Sequence, residues 1–329
     1  MARHSVERLV APLAAGLVVL LALLGLIGTA IRDPRPHDIP VGLVGPTQAL
    51  QPMTDALAQK VPGVFKFTTY DSEDAARAAL DRRDIDGVVV VGGPTSSRII
   101  VAGAAGDTST TLIESVFGAA LSAQGPQVPV EVVHPFASGD AHGLILFFLV
   151  LATLISTLVV QAVLLARAAG TRGSAWLGVT AVWAVLAGAA GVGAATWIAD
   201  GYDPGALVPM GALVALTSFA AGAFVAGSTR LLGPAGLGLS ALVIILLDLI
   251  SSGGPAGSAI LPDVYRWMSP WMPAGQLNSA LKGTLYFGGE GVAFPVLVIS
   301  AWLVVGLLLV IISGFVRRPR AESAVAPAG

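Results

Sequence analysis

The sequence predicts an α-helical polytopic membrane protein with six transmembrane helices and an extracellular α/β domain inserted between the first and the second. Three observations carry this expectation. The chain is 55% hydrophobic and only 12% charged, with a mean hydropathy of +0.81, which is more apolar surface than one soluble globule hides from water. Six apolar runs supply the roughly 20 residues each that cross about 30 Å of hydrocarbon at 1.5 Å per residue. The segment after the first run alternates strand-like and helix-like patterns instead. A formal net charge of −2 gives no basis for binding nucleic acid. The absence of cysteine excludes disulfides, thiolate nucleophiles and thiolate metal sites together.

The runs lie near Leu9 to Ile31, Gly143 to Ala166, Ala175 to Ile198, Ala206 to Ser228, Leu231 to Ser252 and Val296 to Val316. The first exceeds the usual core of a signal peptide and reads as an uncleaved anchor. The fifth opens on "LLGPAGLG", where a proline and three glycines fall in its first turns. Cytoplasmic loops retain positive charge. Arg3 and Arg8, Arg167 and Arg172, Arg230, and Arg317, Arg318 and Arg320 all fall on one side of a six-span path, whereas "DGYDPG" carries two aspartates and no base. Both termini are therefore expected in the cytoplasm, residues 1–8 as a short N-terminus before the first span and 317–329 as a tail that reads as disordered after Arg320. Residues 32–142 and 253–295 are then extracytoplasmic, the second as a re-entrant loop within a five-helix membrane domain over 143–316, embedded in the lipid bilayer of the cell membrane.

Residues 38–136 read as a domain in their own right. "DIPVGLV" and "GVFKFTTY" are strands with the helix "TQALQPMTDALAQK" between them. "DSEDAARAALDRR" is a helix capped by Asp71 or Ser72, with Ala75, Ala76, Ala79 and Leu80 on one face. "DGVVVV", "SRIIVAG", "DTSTTLIESVFGAALSAQ" and "VPVEVV" complete a β-α-β-α-β-β-α-β order.

Several chemistries are excluded. No glycine precedes Lys60, Lys66 or Lys282, so there is no phosphate-cradling P-loop, and neither H-E-x-x-H nor G-x-S-x-G occurs. No catalytic, cofactor or metal site is expected within the chain. His37, His134, Asp140 and His142 flank the domain's ends, where they read either as a metal-binding or pH-sensing cluster or as ordinary juxtamembrane polar residues.

The polar exceptions inside the runs are Asp248 in "IILLDLISS" and Gln161 in "LVVQAVL". A carboxylate at mid-bilayer costs about 2.5–3.5 kcal/mol, so Asp248 reads as a pathway residue or as a helix-pairing group near the outer end. Gln161 reads in the same two ways. Ala187, Gly191 and Ala195 repeat at four-residue spacing, a stripe suited to helix packing or to a subunit interface. In "RWMSPWMPAGQLNSALKGTLYFGGEG", residues 266–291, Pro270 and Pro273 break the backbone, and Trp267 and Trp271 suit the headgroup level. Leu277, Ala280, Leu281 and Leu285 then form an apolar stripe, with Gln276, Asn278 and Lys282 largely off it. Two short amphipathic helices lying in the outer leaflet as a lid are expected.

"DSEDAARAALDRRDIDGVVVV", "AGDTSTTLIESVFGAAL" and "SPWMPAGQLNSALKGTLYFGG", together with the layout of spans, resemble the membrane subunits of type-2 ABC exporters, in particular the Pip-like branch with a large outer domain between spans one and two. That resemblance implies a homo- or heterodimer and a separate ATPase subunit. It also implies that the helices before the last span, with Trp267, Pro270, Trp271, Pro273 and Lys282, close the exit. The segments available to meet the ATPase are the short "MARHSVER" and "ARAAGTRGS". The implied activity is ATP-driven export of an amphipathic, lipid-like or drug-like molecule. The alternative class is a non-transport protein that displays its α/β domain as a scaffold, sensor or adhesin.

Overall fold

A computed structural model describes residues 35–92, 96–122, 128–252 and 258–316, together with positions 17, 20–22, 24–26 and 28–29 of the first apolar run, all of them helical. Residues 1–8 and 317–329, expected as cytoplasmic ends, lie outside the described residues.

Residues 39–133 form one five-stranded sheet. Its strands are β1 (Ile39–Val44), β2 (Phe65–Tyr70), β3 (Gly87–Val90), β4 (Arg98–Ala102) and β5 (Val130–Val133), in spatial order β2-β1-β3-β4-β5. All neighbours are parallel except β3 and β4. The helices α1 (Thr47–Lys60), α2 (Glu73–Asp81) and α3 (Asp107–Ser122) alternate with the strands in the order read from the sequence. Ser72 caps α2 by accepting the Ala75 N–H at 3.2 Å, and Ala76, Ala79 and Leu80 are buried while Ala75, expected on the same face, is exposed. The sheet has an apolar core on each side. Ile39, Val41, Leu43, Val89, Ile99 and Val101 pack with α1 and α3 residues. Val88, Ile100 and Ala102 pack with α2 residues, and Phe287 from the far end of the chain joins them.

Among the described residues, four helices are long and apolar enough to cross a membrane: α4 (Leu144–Ala168), α5 (Gly173–Ile198), α6 (Pro204–Leu232) and α11 (Ala293–Val316). α6 is the most buried of them and forms the centre of the bundle. The fifth run departs from a simple span. Leu231 and Leu232 still belong to α6, Gly233 turns the chain at φ +65°, and a new helix starts with Pro234 at its first position. That helix comprises α7 (Pro234–Ala241), a π-helical turn (Leu242–Leu247) and α8 (Asp248–Ser251). Proline fits a first helical position because its missing N–H would have no partner there.

The loop before α11 holds α9 (Asp263–Met268), a 3-10 turn at Ser269–Trp271 and α10 (Pro273–Tyr286). The break falls where Pro270 and Pro273 demand it. Gly288 and Gly289, at φ +61° and +96°, end the α10 segment in backbone conformations that other residues seldom adopt.

Candidate functional site

α10 occupies the end of the bundle nearest the sheet. Ala274, Leu277, Ala280 and Leu281 are fully buried and belong to one core with Leu146, Val150, Met210, Leu213, Val214, Ile244 and Ile299. This corrects the expected surface lid: the apolar stripe was read correctly, but it packs on helices rather than lying along lipid. The residues expected off the stripe are covered too. Gln276 is buried with its amide near the Ser269 carbonyl (3.4 Å), and the face bearing Asn278, Lys282 and Tyr286 turns toward the α/β domain.

Asp248 holds the start of this helix. Its carboxylate is fully buried, and both oxygens accept the Ala274 N–H, at 2.7 and 2.9 Å. Pro273 contributes no donor, so this is the first backbone N–H of α10 that needs an acceptor. Met272, the residue at the cap position, offers no side-chain acceptor, and the carboxylate comes from 26 residues away. The π turn just before Asp248 rotates it relative to a regular α ladder, which aims it across the bundle. Asp248 thus anchors the start of α10.

The α/β domain grips the other side of the same loop. Arg83 donates from Nη1 to the Ser279 carbonyl at 3.0 Å and from Nη2 to the Ser279 hydroxyl at 3.2 Å, and its guanidinium lies 5.2 Å from the centre of the Phe287 ring. His134 bridges the Tyr286 carbonyl and the Asp81 carboxylate, 2.8 Å from each. Asp38 pairs with Arg266 at 3.3 Å. Among the described residues, Asp38, Arg83 and His134 are the non-glycine residues with positive φ, at 53°, 65° and 48°. All three reach the 258–291 loop. Such backbone costs roughly 1–3 kcal/mol per residue and persists where the surroundings over-determine it, which is typical of functional clamps.

Lys282 lies inside this junction. Its ammonium donates to the Ala105 carbonyl at 3.1 Å and lies 5.6 Å from the Phe136 ring centre. Burial, helped by the nearby Arg83 charge, lowers its pKa to about 8, against the raising influence of Asp86 and Asp140. Asp86 faces Lys282 and Arg83 with a hydrogen bond from Ser109, yet burial outweighs these and holds its carboxyl above the usual range. Burial likewise lowers the Arg83 pKa. Tyr286 is pushed up to about 12 by burial. A buried ammonium, a guanidinium and a buried carboxyl therefore meet where the domain touches α10, an arrangement whose energy changes strongly if the two bodies separate.

The other candidates resolve into packing. Trp176 Nε1 donates to Gln161 Oε1 at 2.6 Å and Gln161 Nε2 donates to Thr180 at 3.0 Å. Thr157, Ser218 and Trp183 make a second link one turn along. Gln161 therefore ties α4 to α5. Ala187 and Ala195 are buried inside the chain, and the neighbouring Gly188 lets α5 approach the α6 backbone at Gly211. Gly191 meets Leu149 and Val214. The small-residue stripe serves the α5–α6 crossing within one chain. Trp267 and Trp271 are exposed on the bundle's flank, and the Trp271 carbonyl accepts the Trp302 indole at 2.8 Å. Arg230, read from the sequence as a loop charge, is buried and bonds the Thr171 carbonyl and Ser313.

Neither a family model, nor a curated protein, nor a solved structure matches this chain. The site therefore has to be read from its own chemistry.

The four residues flanking the domain do not gather. His134 goes to Asp81, His142 pairs with Asp107 at 3.3 Å, Asp140 caps α4 through the Ile145 N–H, and the His37 backbone bonds Ala259. Among the described residues no three His, Cys, Asp or Glu side chains come together as a metal site would need. Arg83, Asp86, His134 as a clamp, and Tyr286 were not singled out from the sequence. "DRRD" offered a weak sign in hindsight, since a second arginine past the end of α2 has no carboxylate partner on its own helix.

Proposed function

We propose that this chain is the membrane-spanning subunit of an ATP-driven exporter of an amphipathic, lipid-like or drug-like molecule, powered by a separate ATPase, with α10 as its outer gate. In this reading the first apolar run and the helix over 234–251 join the four long helices as six spans. The α/β domain and the 253–295 loop stand outside, both termini lie in the cytoplasm, and two membrane subunits pair.

The observation that carries the reading is the position of α10. A short helix fills the end of the bundle, anchored from within by Asp248 and from above by Arg83 and His134 of the α/β domain, while Asp38 holds the preceding α9 at Arg266. A display anchor needs no such helix, and a rigid scaffold needs no strain at its joint. A gate needs both a closed seat and a clamp that can let go. In the mechanism that follows, substrate ascending between the helices displaces α10 from the Leu146, Met210 and Ile299 core. The cost is shared between exposing its apolar face and separating Lys282 and Arg83 from Asp86. The Asp248–Ala274 bond opens in that step, and it re-forms as the domain resets the helix once substrate has left. Energy for the displacement comes from the partner ATPase, since no nucleotide motif occurs in the chain.

The test is purification from a mild detergent. The expected result is an ATPase polypeptide travelling with this chain and no ATP hydrolysis by the chain alone. Recovery of the chain with no ATPase, under conditions that keep it folded, would favour the display reading.

A further inference from the structure

α1 is the least settled helix of the α/β domain. No side chain caps its N-terminus, its first turn holds no acid, and Pro52 interrupts its hydrogen-bond ladder. It packs more loosely on the sheet than α2 or α3. Cavities run along both of its flanks, of about 290 Å3 beside Leu50 and Phe67 and about 220 Å3 beside Thr54 and Phe65. A third, of about 670 Å3, is the cleft between α1 and α3.

That cleft has the size of a small-molecule site. Pro52, Met53, Leu57, Val61 and Val116 give it apolar walls, and small alanines on both helices leave its mouth open. Its one charged lining residue is Lys60, exposed at the end of α1. Among the described residues Lys60, like Lys66, has no carboxylate within ion-pair distance, whereas Arg77, Arg82 and Arg98 of the same domain are paired. An apolar trough with a single cation at its end matches one class of molecule in both shape and charge, and a methionine wall and a loosely held helix allow it to widen.

We infer that the α1–α3 cleft binds a single-chain anionic amphiphile, its alkyl chain between the helices and its headgroup at Lys60. The cleft shares α3 with the gate clamp. The 3-10 turn just before α3 carries the Ala105 carbonyl that accepts Lys282, and Asp107 opens the helix. An occupant of the cleft therefore presses on the element that holds α10. This deepens the exporter reading, and rests on it only in placing the cleft outside the membrane.

The experiment uses the full chain in zwitterionic phosphatidylcholine nanodiscs, with a diazirine-bearing palmitic acid as probe and peptide mass spectrometry as readout. Cross-links are expected in 47–60 and 107–122. Ala56→Trp with Ala119→Trp should abolish them, and since both alanines are exposed the fold should tolerate the change, checked by circular dichroism. Lys60→Glu should reduce labelling by about fivefold, the scale of an exposed ion pair, and the matching uncharged diazirine alcohol should label the parent about as weakly as the acid labels Lys60→Glu. Cross-links confined to the spans, labelling unaffected by the tryptophans, or equal labelling by acid and alcohol would overturn the inference. Binding is read without any ATPase, so a chain that binds in the cleft yet transports nothing would sink the exporter reading and leave this one standing.

Discussion

Replacing Asp248 by alanine removes both acceptors of the Ala274 N–H in a place no water reaches. The lost interaction is one N–H shared by two carboxyl oxygens at 2.7 and 2.9 Å, and the donor left behind is buried at the start of a helix whose proline cannot substitute. A buried donor without a partner costs about 1–3 kcal/mol. We expect α10 to be less firmly seated by about that amount, which raises the population of its displaced state by about 5- to 150-fold. Hydrogen exchange in nanodiscs reads this directly: amides of 274–281 should exchange faster by that factor while those of β1 and β3 keep their protection. Asp248→Asn retains an acceptor oxygen, and asparagine caps about as well as aspartate, so its exchange should stay close to the parent's. Unchanged protection of 274–281 in Asp248→Ala would refute the anchoring role. Parent-like protection in Asp248→Asn together with loss of transport would instead mark Asp248 as a proton site.

Three further outcomes follow from the same geometry. The pKa of Lys282 is lowered to about 8, so between about 8 and 10.5 the folded chain holds fewer protons than the unfolded one and stability rises with pH, by at most about 3 kcal/mol over the window. Melting in detergent from pH 7.5 to 9.5 stays below the range where Tyr286 opposes the trend; Lys282→Met should flatten the rise. Arg83→Gly relieves about 1–2 kcal/mol of left-handed backbone strain while deleting the Ser279 bonds. The α/β domain should therefore hold its melting temperature while the 286–291 segment becomes open to protease, and a parent-like cleavage pattern would count against the clamp. The chain has no cysteine, so single cysteines report topology cleanly. Thr111→Cys and Glu290→Cys, both at exposed positions, should react with an impermeant thiol reagent on intact cells and Ser174→Cys should not; the reverse pattern would invert the orientation.

The α/β domain was legible because each strand is a short β-branched run bounded by turn residues, and because Ser72 and the alanines behind it signal one amphipathic helix. The break before α10 was legible for an equally local reason, two prolines three residues apart. Where α10 goes was not. Leu277, Ala280 and Leu281 make a face that suits a lipid leaflet or a protein core alike, and only the bundle's open end decides between them. The partners of its polar face are distant in the chain, Ala105 being 177 residues from Lys282 and Arg83 being 196 from Ser279. The positive φ at Arg83 left no trace in the sequence, and although aspartate and histidine enter that region more readily than most residues, nothing local marks Asp38 and His134 among the chain's other aspartates and histidines. Asp248 was noticed for its cost in a membrane, but its role depends on a π turn in "LVIILL" for which these apolar residues give no local cause.

The exporter reading is tested most directly in vesicles that contain this chain together with the ATPase that co-purifies with it. The measurement is movement of a fluorescent single-chain amphiphile across the membrane. Movement that needs ATP, disappears when the ATPase's catalytic carboxylate is removed, and becomes leaky without ATP in Asp248→Ala is the expected result. Movement that persists without ATP hydrolysis, or that follows an imposed proton gradient in the parent, would contradict it.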